Sequence, residues 1–142
     1  MANIIQTKEI LISTRNQLGL LLDISQTLSE EGFNIDAISA HASGNFALIG
    51  ILTDDNQRAA RVLGEKGYVV VENNVIRVEL EHKPGILKQM TNELKAKKID
   101  IVNIYGAAFA EYDKGILVFS TTDNQQAFSI LKSLFMDLKN KS

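Results

Sequence analysis

Gln17-Leu18-Gly19-Leu20-Leu21 is followed 66 residues later by Lys83-Pro84-Gly85-Ile86-Leu87, and the reading of the whole chain turns on that echo. The same offset carries Ile24 onto Met90, Leu28 onto Leu94, Phe33 onto Ile99, Ile35 onto Ile101 and Ile38 onto Ile104. Apolar positions and a turn glycine therefore recur together. Further on, Thr53-Asp54-Asp55-Asn56-Gln57 matches Thr121-Thr122-Asp123-Asn124-Gln125 at an offset of 68, with Ala59 on Ala127 and Val62-Leu63 on Ile130-Leu131. The change of two places an insertion around residues 111–114, and insertions collect at hairpin tips.

Each copy reads as strand, helix, strand, strand and helix, and the first adds one more strand. The opening strands cover residues 9–14, with Ile10 and Ile12 on one side, and 75–80, where Ile76, Val78 and Leu80 alternate with Arg77 and Glu79. Such alternation describes a sheet covered on one face. The helices that follow carry the stripes Leu21, Ile24, Leu28 and Leu87, Met90, Leu94, whose three-to-four spacing turns one face inward. Gly32 fits the end of the first helix, since glycine accepts the left-handed backbone needed there. Residues 33–41 and 46–53 form a hairpin around Ser43-Gly44-Asn45, echoed by 99–108 and 115–121 around 111–114. Asp54 or Asp55, and Thr122 or Asp123, are placed to cap the second helix of each copy by accepting its free amides.

In copy one that helix ends near Gly64, and residues 68–71 supply a fourth strand. In copy two Leu134, Phe135 and Leu138 prolong the helix and residues 136–142 offer no strand, which leaves Ile4-Ile5, within residues 3–6, as a candidate for the missing edge. Strand-helix-strand-strand-helix-strand is the split βαβ arrangement. The expected fold class is α+β: two ferredoxin-like βαββαβ domains, residues 1–72 and 73–142, each an antiparallel sheet covered by two helices on one face. Units of about 70 residues are marginal alone, so the two are expected to bury apolar surface against each other.

Composition narrows the function. The 142 residues include no cysteine, which excludes disulfide frameworks, thiolate metal sites and cysteine nucleophiles. Histidine occurs only at His41 and His82, with no obvious third ligand for a metal. Apolar residues at 45% and charged residues at 23% are values of a globular protein. A net charge of -2 argues against a nucleic-acid binder, which carries a basic excess to neutralise phosphates. No apolar run approaches the roughly 18 residues of a membrane span, and residues 1–13 lack the basic start and apolar core of a signal peptide, so a cytoplasmic protein without membrane contact is expected. Residues 1–72 carry a net -4 and residues 73–142 a net +2, a contrast that favours docking or head-to-tail association only weakly through screened surface charge.

The chain has no G-x-G-x-x-G, phosphate-loop, G-x-S-x-G or H-E-x-x-H signature. Glu30-Glu31 and Asp54-Asp55 pair carboxylates, but sequence neighbours at helix ends face different ways, which suits capping and solvation better than acid-base chemistry. Lys95, Lys97 and Lys98 gather at a helix end, where cations complement the dipole. His41, late in a strand, reads as a sheet residue. His82, where a strand meets a helix, reads either as a ligand contact through a ring nitrogen or as an exposed turn histidine. The constellation that recurs with polar content is the turn between first strand and first helix, Arg15-Asn16-Gln17-Leu18-Gly19-Leu20 and Glu81-His82-Lys83-Pro84-Gly85-Ile86. A glycine there lets the backbone approach a small molecule, the free amides behind it attract a carboxylate, and Asn16 adds a donor and an acceptor. The same glycine also serves a plain strand-to-helix turn.

At these residues the chain resembles the ACT domain family, the small amino-acid-sensing modules of regulated biosynthetic enzymes. The resemblance is carried by Asn16-Gln17-Leu18-Gly19-Leu20-Leu21 with Gly32-Phe33-Asn34-Ile35 in copy one, and by His82-Lys83-Pro84-Gly85-Ile86-Leu87 with Ile99-Asp100-Ile101 in copy two. It implies that an amino acid binds where two such domains meet edge to edge, between the glycine turn of one and the second strand of its neighbour. The positions it marks as ligand-binding are Asn16, Gln17, Leu18, Gly19, Leu20, Asn34 and Ile35, and in copy two His82, Pro84, Gly85, Ile86, Asp100 and Ile101. Asn16 corresponds to a polar turn position that contacts ligand in members resembling the serine-sensing domain of phosphoglycerate dehydrogenase. Asn34 corresponds to the second-strand asparagine that holds the ligand's amino or carboxylate group. Leu18 replaces the usual proline, while copy two keeps Pro84-Gly85 but has His82 and Asp100 in the polar places, where Asp100 could pair with an ammonium.

Two such domains filling the chain also resemble stand-alone tandem ACT proteins. The expected function is a sensor without chemistry, cofactor or metal of its own, whose amino acid favours one arrangement of domains or subunits. A homodimer joined at strand edges is expected, with a regulated biosynthetic enzyme or a transcription factor as partner. Two other readings stand beside it. Arg15 in a strand-to-helix turn suggests an acylphosphatase-like hydrolase, although the surrounding residues do not match an anion-cradling loop. A structural interaction module would pair through its sheet edges and bind nothing small.

Overall fold

The alternation around Ile10 and Ile12 extends back toward the start of the chain, and in the computed structural model the first strand, β1, spans Asn3–Arg15. The structure describes residues 3–81, 83–109 and 114–141. After β1 come helix α1 (Leu20–Glu30), strands β2 (Ile35–Ser43) and β3 (Phe46–Thr53), helix α2 (Asn56–Glu65) and strand β4 (Val70–Glu81). Helix α3 (Ile86–Ala96), strands β5 (Ile101–Phe109) and β6 (Lys114–Thr121) and helix α4 (Asn124–Asn140) complete the chain. It folds as two ferredoxin-like units, the first made of Lys8–Asn73 and the second of Met1–Thr7 with Asn74–Ser142.

In the first unit the strand order is β2-β3-β1-β4. Ile10 stands opposite Ile51 and Ile12 opposite Ile49 in an antiparallel β1–β3 pair. Residues opposite one another share a face, so these four isoleucines make one apolar surface. Helix α1 sets Leu20, Ile24 and Leu28 on it, and α2 sets Ala59 and Leu63. The inward stripe thus starts one residue earlier than the expected Leu21. Leu20 and Ile86 pack inward, whereas Leu21 and Leu87 are 47% and 48% exposed. A left-handed glycine at each N-cap fixes where the helical period begins and points the first helical residue at the sheet.

In the second unit the order is β1-β4-β6-β5. Ile76 faces Phe119 across an antiparallel β4–β6 pair, and Ile104 faces Phe119 from β5. Met90, Leu94 and Leu131 close this core from the helices. Ile4 packs against it together with Leu134 and Leu138 of α4, which gives residues 3–7 their place here. The unit boundaries therefore differ from a division after residue 72. The segments expected as separate strands at 68–71 and 75–80 are one continuous strand, β4. The expected hairpin tip at Glu111, Tyr112 and Asp113 lies outside the described residues.

The repeated Thr-x-Asp-Asn stretch forms the same junction twice. Asn56 Oδ1 accepts the Thr53 N–H at 2.8 Å and the Thr53 hydroxyl at 3.0 Å. Asn124 Oδ1 accepts the same two groups of Thr121 at 2.7 and 2.9 Å. Their amide groups donate outward, Asn56 to the Lys8 carbonyl and Asn124 to the Asn74 carbonyl. Of the capping alternatives, Asp55 and Asp123 hold the helix starts, accepting from Arg58 N–H and Gln126 N–H, each at 3.1 Å. Asp54 and Thr122 instead accept the N–H of Asn34 at 3.3 Å and of Asp100 at 3.1 Å.

The first helices also end alike. Gly32 has φ 79, and Phe33 N–H returns to the Leu28 carbonyl at 3.0 Å. In the second unit Lys98 takes the same left-handed conformation at φ 61, and Ile99 N–H returns to Leu94 at 2.9 Å. Arg58 of α2 braces the first of these ends by donating to the Glu31 carbonyl at 2.8 Å and lying 4.4 Å over the Phe33 ring. No described helix is long and apolar enough to cross a membrane.

Candidate functional site

Strand β1 ends with Arg15 opposite Phe46, and Asn16 N–H donates to the Asn45 carbonyl at 2.7 Å, so the chain leaves the sheet beside the β2–β3 hairpin. Gly19 then turns it at φ 83, and Leu20 N–H reaches back to the Gln17 carbonyl at 3.3 Å. A Cβ on Gly19 would meet nothing within 4 Å. Glycine is required by the left-handed backbone, not by crowding. It brings no capping side chain, which leaves the first amides of α1 to be met from outside the helix.

Beside this turn lies an open cavity of about 670 Å³, lined by residues 16–22 on one side. Residues 40–42 of β2, with Ala47 and Ile49 of β3, line the other. Ala40 stands opposite Ile49 and Ala42 opposite Ala47, so both alanines lie on the helix-bearing face of the sheet. His41 stands opposite Leu48. Its side chain therefore lies on the other face, and it borders the cavity from between the alanines.

Five of the residues singled out in the sequence, Asn16, Gln17, Leu18, Gly19 and Leu20, line this one cavity. Asn34 and Ile35 do not. They sit at the far end of β2, where Ile35 pairs with Thr53 and packs against the core. At about 3.3 Å per residue this is roughly 20 Å from Ala40. Within one unit the two asparagines, Asn16 and Asn34, cannot reach a common small molecule.

The second unit repeats the turn. Gly85 has φ 90, Gln89 N–H donates to its carbonyl at 3.0 Å, and Ile86 packs against the core beyond Pro84. His82 lies outside the described residues. Asp100 and Ile101 are at the opposite end of α3, where they line a different cavity of 700 Å³ with Leu94, Ile99 and the lysines Lys88, Lys95 and Lys98. Among the described residues no three His, Asp or Glu side chains gather to hold a metal ion.

Sequence reasoning missed Ala40, Ala42, Ala47 and Ile49 as cavity residues. The alternation of alanine with Ser39, His41 and Ser43 was the available sign, since small residues on alternate positions leave one face of a strand low. It also missed the link between Tyr68 and the site's helix. The Tyr68 hydroxyl donates to the Asp23 carboxylate, and Asp23 follows the cavity residues on α1. Burial, and then the Asp23 hydrogen bond and charge, push the Tyr68 hydroxyl up from 10.0 to about 12.

The family described as an ACT domain pair matches residues 4–140 of the chain. No curated protein matches it. Among solved structures the chain is similar to protein BT0572 from Bacteroides thetaiotaomicron, with 21% identity over 92% of this chain and 89% of that one and a TM-score of 0.84. It is similar to the regulatory subunit of aspartate kinase from Thermus thermophilus in its ligand-free form, with 17% identity over 93% and 95% of the two chains and a TM-score of 0.66. For the corresponding subunit from Thermus flavus the identity is 18% over 95% of each chain, with a TM-score of 0.60. At these identities the structures show the fold.

Proposed function

Since the chain belongs to the ACT domain pair family, matched over residues 4–140, we propose that it is a regulatory protein that binds an amino acid and catalyses nothing itself. The observation that carries the reading is the cavity beside the Gly19 turn, which unites Asn16, Gln17, Leu18, Gly19 and Leu20. The amides of α1 beyond Gly19 suit the carboxylate of such a ligand, and Asn16 and Gln17 offer acceptors for its ammonium. Asn34 and Ile35, and in the second unit His82, Pro84, Gly85, Ile86, Asp100 and Ile101, belong in this proposal to sites completed by the strand edge or turn of another chain in a homodimer. The description of the similar Thermus proteins as regulatory subunits supports the regulatory half of the reading.

Such a protein works by differential affinity. The amino acid must bind one arrangement more tightly than another, and a regulated biosynthetic enzyme or transcription factor must prefer that same arrangement. The setting proposed for this is the cytoplasm. The test is a thermal-unfolding screen of the full chain against the proteinogenic amino acids at millimolar concentration. A ligand at about 100 times its dissociation constant adds about 2.7 kcal/mol, a shift of several degrees. One selective shift, lost in Asn16→Ala with Gln17→Ala, is the expected result. A flat panel, or a shift that survives that double substitution, would overturn the proposal.

A further inference from the structure

We propose that the occupant of the first unit's cavity carries an uncharged apolar side chain of about the size of leucine or phenylalanine. This rests on the reading of that cavity as an amino-acid site and adds the class of ligand. Its floor is Ala40 and Ala42 beside Ala47 and Ile49. Its opposite wall is Leu21 and Leu22, which remain 47% and 67% exposed and so offer apolar surface for a ligand to cover. No Asp, Glu, Lys or Arg is among the residues lining it, and His41 has its side chain on the other face of the sheet. A charged ligand side chain would lose hydration against this lining with no counter-charge in return. The preference belongs to the first unit, because the position of Leu22 is held in the second by Lys88.

Each methylene removed from water strengthens binding about fourfold, so leucine should bind on the order of 50-fold more tightly than alanine. The experiment is calorimetric titration of the full chain with leucine, phenylalanine, alanine, serine, lysine and aspartate, repeated on Ala42→Glu and Ala42→Gln. Ala42 is exposed on the edge of its sheet, and circular dichroism reports whether either variant is folded. Leucine or phenylalanine binding best, lysine and aspartate giving no heat at the same concentrations, and Ala42→Glu weakening the apolar ligand while admitting lysine would support the proposal. Serine, lysine or aspartate binding best to the parent chain would overturn it and leave the amino-acid reading standing. Silence from all six would overturn this proposal and weigh equally against amino-acid binding. Apolar affinity unchanged in both folded variants would overturn the assignment to this cavity.

Discussion

Replacing Asn124 with aspartate exchanges one NH2 group for an oxygen at the junction that joins β6 to α4. The side chain keeps its shape, and Oδ1 still accepts the Thr121 N–H at 2.7 Å and hydroxyl at 2.9 Å. The group that donated to the Asn74 carbonyl at 2.9 Å becomes a second acceptor facing an acceptor. Losing that hydrogen bond costs about 1 kcal/mol, and setting a carboxylate oxygen against a carbonyl adds about as much again, so the variant should be about 2 kcal/mol less stable at neutral pH. Acid restores the donor, because a protonated carboxyl can give its proton to the Asn74 carbonyl. The folded variant then holds a proton more readily than its unfolded chain does, and its deficit shrinks as pH falls through the carboxylate range. Asn124→Ala is the control: it loses all three bonds, should cost about 3 kcal/mol, and has no proton to recover. Urea unfolding of the three proteins at neutral pH and at about pH 3.5, below the usual aspartate value of about 3.9, measures each difference directly. An Asn124→Asp protein as stable as its parent at neutral pH, or one whose deficit is the same in acid, would refute this account of the junction.

Tyr68 makes a second pH-dependent prediction. Its folded value of about 12 lies above the 10.0 of an unperturbed tyrosine, so its contribution is whole below the unfolded value and is lost as pH rises through the folded one. Across that alkaline window the parent should lose stability that Tyr68→Phe does not lose, and parallel curves in urea unfolding would contradict the Asp23 bond. Lys98→Gly should raise the urea midpoint. A left-handed backbone costs a non-glycine residue about 1–2 kcal/mol, and the extra freedom of an unfolded glycine returns about 0.5–1 kcal/mol of that, leaving a gain of about 0.5 kcal/mol. A lower midpoint would show that the Lys98 side chain holds the helix end by contacts that outweigh its φ of 61.

The fold was legible wherever one period dominated. Alternation at Ile76, Val78 and Leu80 and the three-to-four spacing of Ile24 and Leu28 are direct consequences of strand and helix geometry, and the doubled glycine turn placed both helices. The continuity of β4 was not legible. Glu72-Asn73-Asn74 has the composition of a turn, but β4 is hydrogen-bonded beside β1, where Glu72 also meets Lys8 at 3.5 Å and Asn73 donates to Glu9 at 3.4 Å, so strand pairing holds extended a stretch that local propensity would bend. Nor could Lys98 be read as left-handed, because its conformation is imposed by the closing bond from Ile99 to Leu94. Of the candidate site, residues 16–20 stood out because glycine and polar residues mark a turn whatever surrounds it. Ala40 and Ala42 did not stand out, since an alanine becomes a cavity wall only through what is placed across from it. The distance between Asn16 and Asn34 is likewise a matter of hairpin direction, which sequence spacing does not express.

The assignment of residues 3–7 to the second unit bears on how the protein comes off the ribosome. All the residues of the first unit have been synthesised once Asn73 has been added. Ile4 and Ile5 emerge before any of it and must wait for Phe119 and Leu138, near the other end of the chain, before Ile4 meets the core it packs against. For that interval residues 3–7, with Ile4 and Ile5 uncovered, are a strand without its sheet, the kind of segment that pairs with the wrong edge or recruits a chaperone. A tag fused ahead of Asn3 therefore adjoins the unit whose residues are completed last in synthesis, and cleavage after Asn73 does not yield two complete units.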